Sequence, residues 1–531
     1  MSTLTLPQEA PAAEWNQLEI GRAFVEASEH LKRGEDESAL GLLEKVVQHA
    51  PDVPVFLYLL GVTQVRRKLH APAVANLKKA LGSDENNTDY LTVLGAALTP
   101  ERPVEAISCL FRAVELGSRN HQTYSMLADL LLADQKANLA LLICQTGQAI
   151  CGDRVEILRS GGLALKMLGR AEEALHWLQK AEQLNPADTT TLISVASVLL
   201  DLGLVHNGTR YLERAVALDP ENATAHYNLG FALLLEGNYQ AGFREYEARW
   251  MVRELVPNRV TYPTPLWDGS ELKGLRILLH AEQGAGDTIQ FVRYARLIQE
   301  RGAAAILLVN RNLTRLLSWC EGCEIAPLDA PLPAHDLHCS LLSLPQRFGT
   351  DRDTIPAPAI FDIPAEMKQK WSEILGAKTR LRVGLVWAGS PMHRNDRNRS
   401  LSFRLFSPIV EVAGADYFGL QVGPAAAEQT EPGIQHSVRD LAAQLTDYAE
   451  TAAAISQLDL VITADTSVAH LAGSVNTPVW VLIPFAPDWR WLAEREDSPW
   501  YPSMRLFRQR VAGDWESVIA SVAAKLRYEL R

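Results

Sequence analysis

Several ingredients that would settle the class of this chain at once are scarce or missing. Cysteine is rare, six in 531 residues, at positions 109, 144, 151, 320, 323 and 339. That sparse scatter excludes a disulfide-stapled domain and fits reduced thiols in a cytosolic protein. Only Cys320-Glu-Gly-Cys323 has metal-like spacing, and no second pair accompanies it. No apolar run reaches the roughly 18 residues a membrane span needs. No basic-then-apolar segment opens the chain; MSTLTLPQEAPAAEWNQ reads as part of a short disordered tail over residues 1–19, so the expected compartment is the cytoplasm. Basic charge does not dominate either. A net charge of −12 argues against general nucleic-acid binding.

What is present first is a repeat. The segments LRSGGLALKMLGRAEEALHWLQKAEQLNP, LISVASVLLDLGLVHNGTRYLERAVALDP and HYNLGFALLLEGNYQAGFREYEARW recur every 34 residues. Gly162, Ala196 and Gly230 hold one small-residue position, and Ala174, Gly208 and Gly242 the matching one on a second helix. Pro186 and Pro220 close that second helix. Weaker copies precede these, around Ala27, Gly61, Gly95 and Ala128, the last two with a single-residue slip. About seven helix pairs are expected over residues 20–255. The pattern resembles the tetratricopeptide repeat family. That resemblance implies a superhelix with a groove for a peptide or protein segment, or an array that supports a homo-oligomer.

After residue 250 the helical period stops. NRVTYPTPLWDGSELKG (258–274) reads as a linker, and aliphatic runs then alternate with amphipathic segments. LRILLHAE, AAILLVN, LRVGLVWAG, DYFGLQVG, LDLVITAD and PVWVLIPF read as buried strands. Such alternation implies α/β units with parallel sheets, one over residues 256–372 and one over 373–531. The final segment DWESVIASVAAKLRYEL reads as a helix packing back across the two halves. In open α/β sheets the ligand sits beyond the carboxyl ends of the strands, so residues just after strands carry the functional information.

Three clusters lie there. In the first, Gln283-Gly284-Ala285-Gly286-Asp287-Thr288 joins strand to helix. Its glycines allow close backbone approach, and Asp287 is either a first-turn capping acid or a functional carboxylate. No third glycine follows Gly284 and Gly286 before Gln290, so the dinucleotide fingerprint is incomplete, and AAILLVN ends in Asn310 rather than a ribose-binding acid. An oxidoreductase is therefore disfavoured. The second cluster, Ser390 to Ser400, follows LRVGLVWAG; it brings His393, Arg394, Arg397 and Arg399 together in an acidic chain and reads as a diphosphate site or a solvated loop. The third, Asp465-Thr466-Ser467-Val-Ala-His470-Leu-Ala-Gly473, offers capping groups and an imidazole one turn on. The aromatic run around Trp489 is either packing or a cleft wall.

Together these clusters resemble a glycosyltransferase of the GT-B fold with two Rossmann-like units, and most closely the lipopolysaccharide heptosyltransferases. The first unit is short for that family, and the cationic segment Ser390 to Ser400 is arginine-rich where that family favours a lysine. The fusion to tetratricopeptide repeats is similar to bacterial protein O-glycosyltransferases, including flagellin-modifying enzymes. The resemblance implies Asp287 as catalytic base. It implies donor contacts from Gly389, Ser390, His393, Arg394, Arg397, Gln421, Asp465, Thr466, Ser467, His470 and Gly473. Gln283, Gly284, Gly286, Thr288, Gln290 and Trp489 would form the acceptor side.

The expected chemistry is inverting transfer of sugar from a nucleotide sugar to a Ser or Thr hydroxyl of a protein acceptor, flagellin being one candidate. Asp287 would act as general base, and helix N-termini with Arg394, Arg397 and His470 would take up the leaving charge. No DxD-type pair follows a strand, so no metal is expected and no cofactor beyond the nucleotide-sugar co-substrate. Two alternatives stay open: an adaptor with an inactive glycosyltransferase-like domain, and an enzyme acting on a lipid-linked saccharide.

Overall fold

The computed structural model describes residues 15–252, 255, 260–393, 395–430 and 438–531. Arg394, a candidate donor contact, lies outside the described residues. The chain divides into two compact units, Met1–Val198 and Leu199–Arg531.

Between Gln17–Lys32 and Tyr239–Tyr246 the described residues form fourteen α-helices in seven successive antiparallel pairs. The small residues predicted at the helix crossings have a direct steric reason. A Cβ on Gly61 would lie 2.6 Å from Leu77 Cγ, one on Gly95 2.7 Å from Leu110 Cγ, and one on Gly162 2.6 Å from Leu178 Cγ. In six of the seven pairs the turn passes through a left-handed residue. Gly34, Lys68, Gln135, Gly169, Gly203 and Gly237 occupy that position with φ between 59° and 81°. The pair that lacks such a residue is Thr88–Leu98 with Pro103–Glu115. Its second helix starts at Pro103, 15 residues after Thr88, where the neighbouring pair runs 16 from Pro54 to His70, which accounts for the slip in the repeat.

The second unit contains the last helices of the array and an α/β portion with two wholly parallel sheets. In the first, β1 (Arg276–His280), β2 (Ala304–Val309), β3 (Cys323–Pro327) and β4 (Leu337–Ser340) run in the order β3-β2-β1-β4. In the second, β5 (Leu381–Val386), β6 (Ala415–Gly419), β7 (Val438–Asp440), β8 (Leu460–Ala464), β9 (Val479–Ile483) and β10 (Met504–Arg508) run β10-β9-β8-β5-β6-β7. Counting from β5, that is the doubly wound order 3-2-1-4-5-6. The first sheet has the first four strands of the same pattern. Each sheet therefore reverses direction at one point, between β1 and β4 and between β5 and β8. The three clusters singled out in the sequence follow β1, β5 and β8.

The unit boundary falls inside the repeat array because the array's end shares a core with the sheets. Tyr239, Phe243 and Tyr246 of the last helix pack in one cluster with Phe291, Trp489 and Trp500. The ring centroids of Phe243 and Trp489 lie 5.5 Å apart, edge to face, and those of Tyr239 and Trp500 5.6 Å apart. The C-terminal helix, Trp515–Glu529, does not bridge the two sheets as expected. Its apolar stripe of Val518, Ile519, Val522 and Leu526 packs with Val383, Leu385, Ile462 and Leu482 on one face of the second sheet. Phe403, Phe406 and Ile409 join the same cluster, so the stripe is buried in a continuous apolar core on that face.

Candidate functional site

The turn after β1 starts the helix Ala285–Phe291, and Asp287 sits in its first turn. Asp287 Oδ2 accepts the Gly284 N–H at 2.9 Å, so the capping reading of this acid is realised. Its other oxygen does something the sequence did not suggest. Oδ1 accepts from Nη2 of Arg490, which lies in the loop after β9. Arg490 also donates through Nε to Gln290 Oε1 (2.8 Å) and through Nη1 to Asp488 Oδ1 (2.8 Å), and its guanidinium stacks 4.3 Å over Trp489. Burial pushes the Asp287 carboxyl up, Arg490 opposes that, and Asp488 adds to it.

On the facing side, the helix Ser467–Ser474 follows β8, with Thr466 as its N-cap. Thr466 Oγ1 accepts from Val468 N–H at 3.3 Å. Ser467 Oγ is hydrogen-bonded to Tyr448 at 2.9 Å. His470 is buried, with Nδ1 3.3 Å from the Tyr501 hydroxyl and its ring stacked on Trp491 at 5.2 Å. Burial, reinforced by Arg490, Arg293 and Arg399, holds His470 well below its ordinary pKa. It is therefore neutral and brings no charge to an anion. Gly473 faces Tyr501 so closely that a Cβ there would stand 2.5 Å from the ring, which is a packing reason for glycine.

The two helices meet directly. A Cβ on Gly286 would be 2.9 Å from His470 Cδ2 and 3.3 Å from the Ser467 Cα. The contact is reinforced by Arg293, which donates to the Trp500 carbonyl at 2.9 Å and stacks 4.7 Å over Tyr501. Between the helices lies Asp465, half-buried, with its carboxyl raised to about 6 by burial and by Asp488 against the pull of Arg399 and Arg490.

The loop after β5 contributes differently from expectation. His393 and Arg397 are exposed, while the cation that reaches the centre is Arg399, whose Nη1 donates to the Asp465 carbonyl at 2.9 Å. Gly389 lies beneath that guanidinium and donates its N–H to Ser400 Oγ at 2.8 Å. Ser390 is exposed and turns the loop, its carbonyl accepting from His393 N–H at 3.0 Å. Gln421 is buried and clamps the strand end. Its Oε1 accepts from Trp387 and Ala388 N–H, and its Nε2 donates to the Ala388 and Val422 carbonyls. With two bonds at each amide atom it has no capacity left for a ligand.

On the β1 side, Gln283 and Gly284 are exposed, while Thr288 and Gln290 are buried. Trp489 is 1 % exposed, so it is core rather than a cleft wall. Beneath the β1 turn runs a second buried network. Arg249, at the end of the last repeat, donates to both oxygens of Glu282 at 2.7 and 2.9 Å and to Glu247 at 2.5 Å, and Ser340 also donates to Glu282. Sequence reasoning missed Arg249, Glu282, Asp488 and Arg490, and it placed Arg399 in the cationic cluster without singling it out as a donor contact. An arginine between two tryptophans, in Trp489-Arg490-Trp491, was the one available signal, since a cation in such a context needs a buried anion.

Cys320 and Cys323 are half-buried free thiols, and the described residues contain no group of three or more His, Cys, Asp or Glu placed to hold a metal. No helix among them is long and apolar enough to cross a membrane.

A helical repeat array consistent with a tetratricopeptide repeat solenoid is thus followed by an α/β portion with parallel sheets, with polar loops at the strand ends. The tetratricopeptide repeat family matches residues 196–253. Protein FlbA of Caulobacter vibrioides is 25% identical over 441 residues, covering 71% of this chain and 73% of FlbA. Among solved structures, a tetratricopeptide repeat protein from Parabacteroides merdae aligns with a TM-score of 0.38 and 15% identity, over 44% of this chain and 93% of its own. YrrB, described as a TPR protein with an unusual peptide-binding site, aligns with a TM-score of 0.29 and 17% identity, over 35% of this chain and 96% of its own.

Proposed function

We propose that this protein is a metal-independent glycosyltransferase of GT-B architecture whose repeats recruit a protein acceptor, a flagellin-like substrate being one candidate. The observation that carries the reading is that the loops at the two sheet switch points converge on Asp287, Asp465 and Arg490. Switch points are where doubly wound sheets bind ligands, and here two of them share one polar centre. In the proposed reaction an acceptor hydroxyl attacks the sugar carbon, the carbon–oxygen bond to the nucleoside diphosphate breaks, and the proton passes to Asp287 with inversion. Arg490 and Arg399 stand where they can offset the charge of the leaving diphosphate. His470, being neutral, acts through position or hydrogen bonding. A screen of nucleotide sugars by thermal shift, followed by product analysis, tests this. A retained configuration at the sugar carbon sinks the role given to Asp287.

One observation favours a second reading, an adaptor with an inactive glycosyltransferase-like domain. Gly286 and His470 are in van der Waals contact, which leaves the two loops closed on each other. Absence of turnover with every nucleotide sugar, together with retained peptide binding by the repeats, would decide for the adaptor.

A further inference from the structure

We propose that Arg490 is the anion site for the donor diphosphate, and that Asp287 occupies it in the ligand-free protein as a latch. This rests on the nucleotide-sugar reading of the site. Arg490 has three side-chain partners, and they are not equivalent. Gln290 is fully buried and cannot leave. Asp488 lies two residues away, and its Oδ1 also accepts the Arg490 backbone N–H at 3.0 Å, so it belongs to the same turn. Asp287, one turn before Gln290 on the same helix, keeps contact with solvent, its side chain being 18% exposed against 7% for Arg490. It also has a second anchor, the Gly284 N–H, that would hold it nearby once released.

Carboxylate and phosphate oxygens make the same kind of charge-assisted bond to a guanidinium, so one can replace the other at Nη2 without rebuilding the site. Stacking on Trp489 at 4.3 Å and the bond to Gln290 keep the guanidinium in place through the exchange. Arg399, bound to the Asp465 carbonyl at 2.9 Å, supplies a second cation against the opposing charges of Asp465 and Asp488. The exchange has a consequence for the proposed reaction. A carboxylate held by an arginine is a weak base, and removing that partner while an anion arrives raises its proton affinity. Donor binding and activation of the base thus become one event.

The test is calorimetric titration of the full chain with inorganic pyrophosphate, in the wild type and in Asp287→Asn. Freeing Arg490 of its competing carboxylate should tighten pyrophosphate binding roughly tenfold, within the usual range of coupled sites. Arg490→Lys, which keeps the charge and loses the fork, should weaken it. Equal affinity in wild type and Asp287→Asn, or no binding by either, overturns the proposal. If Asp287→Asn does not fold, Arg490→Lys decides, and unchanged affinity there overturns it. Loss of sugar transfer in Asp287→Asn with unchanged pyrophosphate affinity would sink the latch and spare the transferase. Tighter pyrophosphate binding without turnover by the wild type would do the reverse.

Discussion

Arg490 and Asp287, 203 positions apart in the chain, form an ion pair that joins the loop after β9 to the first helical turn after β1. Removing the carboxylate therefore has two separable effects. Asp287→Ala should abolish transfer and donor hydrolysis while enlarging the nucleotide-induced thermal shift, since Arg490 is freed of its competing carboxylate. It should also lower stability by about 1–3 kcal/mol, less than a wholly unpaired buried charge costs, because Asp488 still neutralises Arg490. Activity assays and urea melts of the same sample check both.

Gly286→Ala should destabilise the protein by about 1–3 kcal/mol, because the added methyl meets a His470 ring already fixed against Trp491. Gly284→Ala meets only Asp287 Oδ2 at 3.3 Å and should cost less. Urea denaturation of the two variants side by side provides the measurement, and equal losses would contradict the close helix contact.

Asp465 makes stability depend on pH in a defined window. Its folded carboxyl lies at about 6 against an ordinary 3.8, so the folded state holds the proton more tightly. Its contribution is fully present below about 3.8 and is lost as pH rises through about 6, a change of roughly 3 kcal/mol at most. Asp465→Asn should therefore gain stability relative to the wild type between pH 4 and pH 7, about the bounds of that window. Melting temperatures at several pH values would show a constant difference if the assignment is wrong.

Arg249 carries the buried network under the β1 turn. Arg249→Met should cost about 3–5 kcal/mol, since Glu282 would keep only its Ser340 bond. Adding Glu282→Gln to that variant should recover part of the loss, because the stranded charge is then gone. A double-mutant cycle with no coupling energy would refute the pairing.

Lys68 holds an exposed left-handed turn with φ 60°, where four of the other pairs have glycine. Lys68→Gly should stabilise the first unit by about 0.5–1 kcal/mol, the strain relieved exceeding the extra unfolded-state entropy. A lower midpoint in denaturant for the variant would contradict this account of the turn.

The repeat array was legible because its determinants are local. Gly61 and Leu77, or Gly162 and Leu178, are sixteen residues apart, so steric need is written within one period. The long aliphatic strands were legible for the same reason, each being buried on both faces. β3, β4, β7 and β10 were not, since CEIAP, LHCS, VRD and MRLFR lack a continuous apolar run and are recruited by pairing with neighbours. Gln421 shows a different limit. Its place after a strand suggested a ligand contact, while its four hydrogen bonds all go to nearby backbone.

By itself, then, the chain's sequence determined where helices pair, where parallel strands run, and which loops lie at their carboxyl ends, because these follow from periodicity and side-chain volume over tens of residues. Only the tertiary structure decided that Asp287 meets Arg490, that Arg399 rather than Arg397 reaches Asp465, and that Trp489 belongs to a core shared with the last repeat helix. Those outcomes depend on contacts between segments far apart in the chain, 203 positions for Asp287 and Arg490 and more for Trp489 and Tyr239, where burial and charge pairing, not local pattern, select the partner.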